Sequence, residues 1–320
     1  MTPRDLAEGA PARAAAARQR ILVIKLASLG DLVQAFEPFA AIRAHHADAE
    51  ITLLTTPPYA PLLGGAPWFD RIWTDGRPAW TDPGGLWALR RRLREAGLHR
   101  VYDLQTSARS SRYRMFLPAS VEWSGIARGA SHPHANPVRD FMHTMERQRE
   151  QLEMAGITEF PPPDLSFLDA DLSAFALPER FALLIPGASA TRPGKRWPAE
   201  CFGALAAALD LPMVVLGTAG EAKLAAAIRA RAAGARDLTG RTGYGELAAL
   251  ARRAAFAVGN DTGPSHLVAA TGCPTLVLFG PESDPALCAP RGRAVAVLRA
   301  QRLDGLRVAE VRAALAGLLG

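Results

Sequence analysis

Residues 260–265 read Asn-Asp-Thr-Gly-Pro-Ser. They follow a short apolar run, 254–258, and precede Leu267, Val268 and Ala270, which predicts strand, tight turn and helix. A helix opening straight after a strand aims several unpaired backbone N–H groups at one spot, and its macrodipole favours anions there. Gly263 removes a side chain where a phosphate needs to come close, so a phosphate or diphosphate site is expected at 261–265. Asp261 would repel that phosphate. It is expected to accept hydrogen bonds from sugar hydroxyls or, with Thr262, only to cap the helix. Asp31, after Ser28 and Gly30 in a polar turn, is by itself a helix-start residue favoured by the dipole. Lys195 by itself is an exposed loop cation; no glycine stands five residues before Gly194, so this is not a Walker loop. Glu221 opens a helix and either binds ribose hydroxyls or answers the dipole. No Gly-x-Gly-x-x-Gly precedes it, which argues against a nicotinamide or flavin enzyme.

Repeated strand–loop–helix units must position these residues. Apolar runs at 21–24, 51–55, 71–74 and 100–103 predict strands of a first domain, and those at 181–185, 213–217, 254–258 and 275–279 predict strands of a second. Helices are expected over 86–96, 143–156, 245–254 and 308–319. The proline-rich stretch 160–178 reads as a linker. His132 and His134 fall in a loop without ligand spacing and are expected to be solvated.

With 320 residues the chain suits two domains. Its formal net charge of +6 favours anionic partners. Three scattered cysteines fit a reducing cytoplasm and show no metal spacing. No apolar run approaches the roughly 20 residues of a transmembrane helix. Arg90, Arg91, Arg92 and Arg94 lie on one helix, either a solvated face or a dock for anionic headgroups or acidic sugars.

Asp261-Thr262-Gly263, then His266, then Phe279-Gly280-Pro281, resembles the signature of the ADP-heptose:lipopolysaccharide heptosyltransferases, glycosyltransferase family 9. The resemblance runs over roughly residues 21–300 and implies an α/β chain of GT-B fold: two facing Rossmann-like domains with parallel sheets and a cleft between them. It implies that Asp31 is the general base, that Lys195 binds the donor's diphosphate and that Asp261 orients the sugar. Ala27 and Gln34 depart from the commonest form of the first motif. Ser28, Gly30, Gln105, Arg109, Ser189, Thr191, Glu221, Thr242, Thr262, Gly263 and His266 are the expected substrate-binding residues.

The expected organisation is a disordered tail over 1–20, an acceptor-side domain over 21–172, a nucleotide-sugar domain over 173–304, and a helix over 305–320 that crosses back to the first domain. The expected activity is an inverting, metal-independent transfer of heptose or a related sugar from an ADP-sugar to a lipopolysaccharide core-type acceptor. No cofactor, metal or nucleic acid is expected, and the setting is the cytoplasm, with peripheral contact at the inner-membrane surface. The alternatives are an epimerase-like GT-B enzyme and a non-catalytic sugar-nucleotide-binding protein.

Overall fold

The computed structural model describes residues 18–320 other than residue 76. β1 (Arg20–Ile24) is apolar and buried after its first residue, as a central parallel strand requires. α1 (Leu29–Val33) and α2 (Phe36–His45) lead to β2 (Glu50–Thr55), and α3 (Ala60–Leu63) leads to β3 (Arg71–Thr74). α4 (Pro83–Glu95), β4 (Arg100–Asp103), α5 (Ala108–Arg112) and a 3₁₀ turn (Tyr113–Phe116) follow. β5 (Glu122–Gly125), β6 (His132–Pro133) and α6 (Thr144–Glu153) complete the first half. Its strands pair in parallel in the order β3-β2-β1-β4-β5-β6.

The second half repeats the scheme: β7 (Ala182–Ile185), α7 (Ala199–Ala207), β8 (Met213–Val215), α8 (Ala222–Arg231), β9 (Arg236–Asp237) and α9 (Tyr244–Arg253). Then come β10 (Ala257–Asn260), α10 (Gly263–Ala270), β11 (Thr275–Phe279), α11 (Pro285–Cys288), β12 (Val295–Arg299) and α12 (Val308–Leu319). The order β12-β11-β10-β7-β8-β9 is the first sheet's order counted from β7. The chain thus has the expected α/β architecture, the GT-B arrangement of two Rossmann-like sheets. Each sheet changes winding direction beside its own first strand, between β1 and β4 and between β7 and β10. Ligands bind outside the carboxyl ends of strands at such switch points.

Three apolar clusters hold this up. One packs the far face of the first sheet against α4 and the 3₁₀ turn, through Leu22, Leu89, Leu93 and Tyr113. Another packs α7, α8 and α12 on the second sheet. The third is continuous from β1, β2 and α2 to β7, α9 and α10. The linker is built into that cluster: Phe167 meets Trp68 at 5.4 Å, and Arg252 binds the carbonyls of Leu165 and Leu168.

Several expectations need correction. α12 does not cross to the first domain; its main contacts are α7, β11 and β12, because Val311 and Leu315 bury into the second domain's own cluster. His134 is buried and bonds Glu150 at 2.7 Å, while His132 lies in β6. α4 starts three residues before the expected 86, since Asp82 caps it by accepting from Gly85 N. The strand expected over 254–258 is displaced to Ala257–Asn260, with Asn260 fully buried on its own hydrogen bonds. Most of the expected tail, residues 1–17, lies outside the described residues; Arg18, within that tail, bonds the Asp48 carbonyl.

Candidate functional site

The first wall of the site is the edge after β1 and β4. Lys25 is buried there, and its ammonium donates to the Leu104 carbonyl at 3.0 Å. Gln105 N binds the Ile24 carbonyl, and the Gln105 side-chain oxygen accepts from Leu26 N (2.8 Å) and Ala27 N (3.1 Å). The two turns are therefore one unit, and Gln105 spends its carbonyl on the backbone rather than on a ligand. Ser28 is the N-cap residue of α1, and Asp31 Oδ2 accepts from Ser28 N (2.8 Å) and Ser28 Oγ (2.9 Å). Among the described residues Asp31 Oδ1 accepts no hydrogen bond.

Asp31 faces a cavity of about 400 Å³ lined also by Ser28, Arg77, Gln105, Ser107 and Arg109. Arg77 donates to the Leu26 carbonyl and Arg109 to the Pro78 carbonyl. Arg77 (φ 51°) and Thr106 (φ 44°) sit in the left-handed region, a cost that rigid surroundings must sustain. Asp103 supplies part of that rigidity: its Oδ1 accepts from Gln105 N and Thr106 N, and its Oδ2 is buried without a partner. Burial pushes the Asp103 carboxyl up to about 7 despite those bonds. Burial pushes the Lys25 ammonium down to about 8 despite the pull of Asp31. Lys25, Arg77 and Asp103 were not foreseen as site residues. An isolated Lys directly after an apolar strand, and an Asp closing another, were the available signals.

The second wall is the edge after β7 and β10. Asn260 organises it: Nδ2 binds the Pro186 carbonyl (2.8 Å) and Oδ1 accepts from Trp197 N (3.0 Å). Both ends of the 186–197 loop are thereby fixed to β10, and the loop presents Lys195. Lys195 is no exposed cation; its Nζ lies 2.6 Å from Asp261 Oδ2, with side chains 13% and 5% exposed. The contact is a charge pair rather than an aligned hydrogen bond. His266 Nε2 lies 3.6 Å from Asp261 Oδ1. Burial pushes the Asp261 carboxyl up, but His266, Lys195 and Ser283 outweigh it and hold the group at about 2. Asp261 is therefore a fixed anion.

Other expected residues fall as follows. Ser189 and Thr191 are exposed on the Lys195 loop and bond each other at 2.9 Å. Glu221 caps its own turn by accepting from Thr218 N at 2.7 Å, and its carboxylate also lies against Gly187 at the end of β7. Thr242 is half-buried on the loop before α9. Thr262 is the N-cap of α10 without a side-chain capping bond.

Gly263 requires a correction. A carbon on Gly263 would meet the Leu29 side chain at 2.6 Å, and one on Gly30 would meet His266 at 3.0 Å. The bare backbone at both positions serves the contact of α1 with α10, so the near neighbour of Gly263 is the other domain. A local stretch shows a helix start but not what faces it. Gln34, which with Ala27 departs from the first motif, also works across the boundary, donating to the carbonyls of Cys288 and Ala289. His143 and Thr144 of the α6 start bond carbonyls 289 and 287 beside it.

Residues 86–307 match the family model for glycosyltransferase family 9 (heptosyltransferase). The chain is 24% identical to lipopolysaccharide heptosyltransferase 3 of Escherichia coli (strain K12) over 276 residues, 78% of this chain and 79% of that protein. The glycosyl transferase family 9 structure from Veillonella parvula superposes with a TM-score of 0.78 at 21% identity, covering 94% of this chain and 97% of that one. The structure of E. coli heptosyltransferase WaaC with ADP-2-deoxy-2-fluoro heptose gives 0.73 at 22% identity, covering 93% and 99%.

Proposed function

Since this chain belongs to glycosyltransferase family 9, the heptosyltransferases, and is a glycosyltransferase, we propose that it transfers heptose from an ADP-sugar to a lipopolysaccharide core-type acceptor in one inverting step. The reading places the work in the cytoplasm, where the acceptor lies in the inner-membrane surface. The observation that carries it is the pairing of two unlike walls. A carboxylate with a free oxygen lines an arginine-edged cavity at one switch point, and a lysine is held by an acidic residue at the other.

In this reading the acceptor hydroxyl gives its proton to Asp31 Oδ1 as its oxygen attacks the anomeric carbon. The bond from that carbon to the diphosphate oxygen breaks, its electron pair leaves on ADP, and configuration inverts. Hydrogen bonds from Ser28 fix the carboxylate's direction and leave the other oxygen for the proton. Lys195 supplies positive charge to the departing diphosphate, so no metal is called on. Asp261 stays ionised; it holds Lys195 in place, then accepts hydrogen bonds from the sugar. Ser189 and Thr191 flank the phosphates, and Glu221 and Thr242 lie towards the nucleoside.

The test is release of ADP from ADP-heptose that depends on a heptose-free core acceptor. Release without acceptor dependence, or no release with ADP bound, would sink the reading.

A further inference from the structure

Residues 77–116 contain nine arginines and three carboxylates. Asp103 is buried, Asp82 caps α4, and Arg100 pairs with Glu122. None of the other eight arginines is in an ion pair among the described residues, although arginines elsewhere on the chain frequently are. The surplus is gathered on one surface. α4 packs on the turn Tyr113–Phe116, where Arg94 binds the Phe116 carbonyl at 3.1 Å. Arg109 and Arg112 of α5 reach over the Trp80 ring at 5.8 and 4.9 Å.

The same surface carries the chain's large exposed apolar groups of that region. Trp87 is 58% exposed with Arg91 over its ring at 4.7 Å, Trp80 is 39% exposed and Met115 is 70% exposed. Water-exposed tryptophan beside unpaired guanidinium groups suits a bilayer interface, where the ring sits at headgroup level and the cation meets lipid phosphate. A solvated arginine face has no need of the tryptophans, and an acidic soluble partner would not draw them. The surface also runs into the cavity of Asp31, because Arg109 belongs to both.

We propose that α4, the segment 77–82, α5 and the turn Tyr113–Phe116 dock on an anionic lipid bilayer. Trp87 and Met115 enter the headgroup layer, Arg90 and Arg91 meet lipid phosphates, and the Asp31 cavity opens next to the membrane plane. A sugar anchored in that bilayer then reaches Asp31 without leaving it. This rests on the glycosyltransferase reading above, which makes the acceptor a lipid-borne sugar.

The experiment uses the full chain and sedimentation with vesicles of phosphatidylethanolamine and phosphatidylglycerol (3:1), against pure phosphatidylcholine. The wild type binds the anionic vesicles and releases them with salt. Arg90→Gln with Arg91→Gln weakens that binding about thirtyfold, from roughly fivefold per arginine. Adding Trp87→Ser abolishes it. All three positions are exposed, so melting temperature and turnover on a delipidated soluble acceptor stay at wild-type values, while turnover on vesicle-embedded acceptor falls. Equal binding to both vesicle types, no binding to either, or a triple variant that binds like wild type overturns the proposal. So does wild-type self-association that the triple variant abolishes, which would assign the face to a second copy of the chain. Absence of transfer to the soluble acceptor by the wild type overturns the enzymatic reading instead, and is scored independently of vesicle binding.

Discussion

Leu29 and Gly263 touch across the domain boundary, so closely that a methyl group on Gly263 would lie 2.6 Å from Leu29 Cβ and 2.8 Å from its Cγ. Gly263→Ala should wedge α1 away from α10 at a cost of about 1–3 kcal/mol, the range for overpacking. The expected readout is a lower kcat/KM with near-normal affinity for ADP alone. Adding Leu29→Ala should return most of the loss. No recovery in the double variant would mean that Gly263 is needed for something other than this contact.

Asp31→Asn separates chemistry from capping. Turnover should fall about 10²–10⁴-fold, the usual worth of a general base, with ADP-sugar affinity unchanged. Because Asp31 also answers Ser28 at the start of α1, a stability loss of about 0.3–1 kcal/mol should accompany it. Near-normal turnover with that same stability loss would leave Asp31 only the structural role.

Lys195→Ala should weaken ADP far more than adenosine, since the lost charge acts on phosphate. It should also strand the Asp261 carboxylate, now 5% exposed and answered only by His266 and Ser283. Lys195→Ala with Asp261→Asn should therefore melt higher than Lys195→Ala alone. If the double variant melts lower, the pair is not what makes the single change costly.

Asp103 gives a pH prediction. Its folded-state pKa, about 7, stands above the ordinary aspartate value of 3.8, so the folded chain binds more protons between those values. Its contribution to stability is full below about 4 and is lost as pH rises through about 7. Asp103→Asn keeps an oxygen for Gln105 N and Thr106 N and has no proton to lose. The melting temperature of the variant minus that of the wild type should rise from pH 4 to pH 7. A flat difference would show that Asp103 titrates as in the unfolded chain.

Strand–turn–helix periodicity made most buried strands readable, because β1, β7 and β11 are largely apolar runs, while β10 was placed too early because it ends on the polar Asn260. β5, β6 and β12 were not, since short or half-exposed strands such as Glu122–Gly125 carry no clear pattern. Within the site, Asp31, Gln105 and Arg109 were foreseen on turns that do converge, as were Lys195 and Asp261 on theirs. What local reading missed depends on distant partners. Asn260 fixes the Lys195 loop 63 residues away, and Gln34 bonds carbonyls more than 250 residues away. The direction of α12 was misjudged for the same reason: its apolar stripe identifies it as amphipathic but not which sheet it covers.

The apolar cluster that passes unbroken from the first sheet through the linker to the second bears on cooperativity. Separating the halves would uncover Phe167, Leu168 and Leu172 together with the faces of both sheets that they join, and neither half could re-cover them alone. Unfolding should therefore be a single calorimetric transition rather than two. By mass action, nucleotide held at the Lys195 loop should then slow global amide exchange in β1 and β2, in the half of the molecule it does not touch.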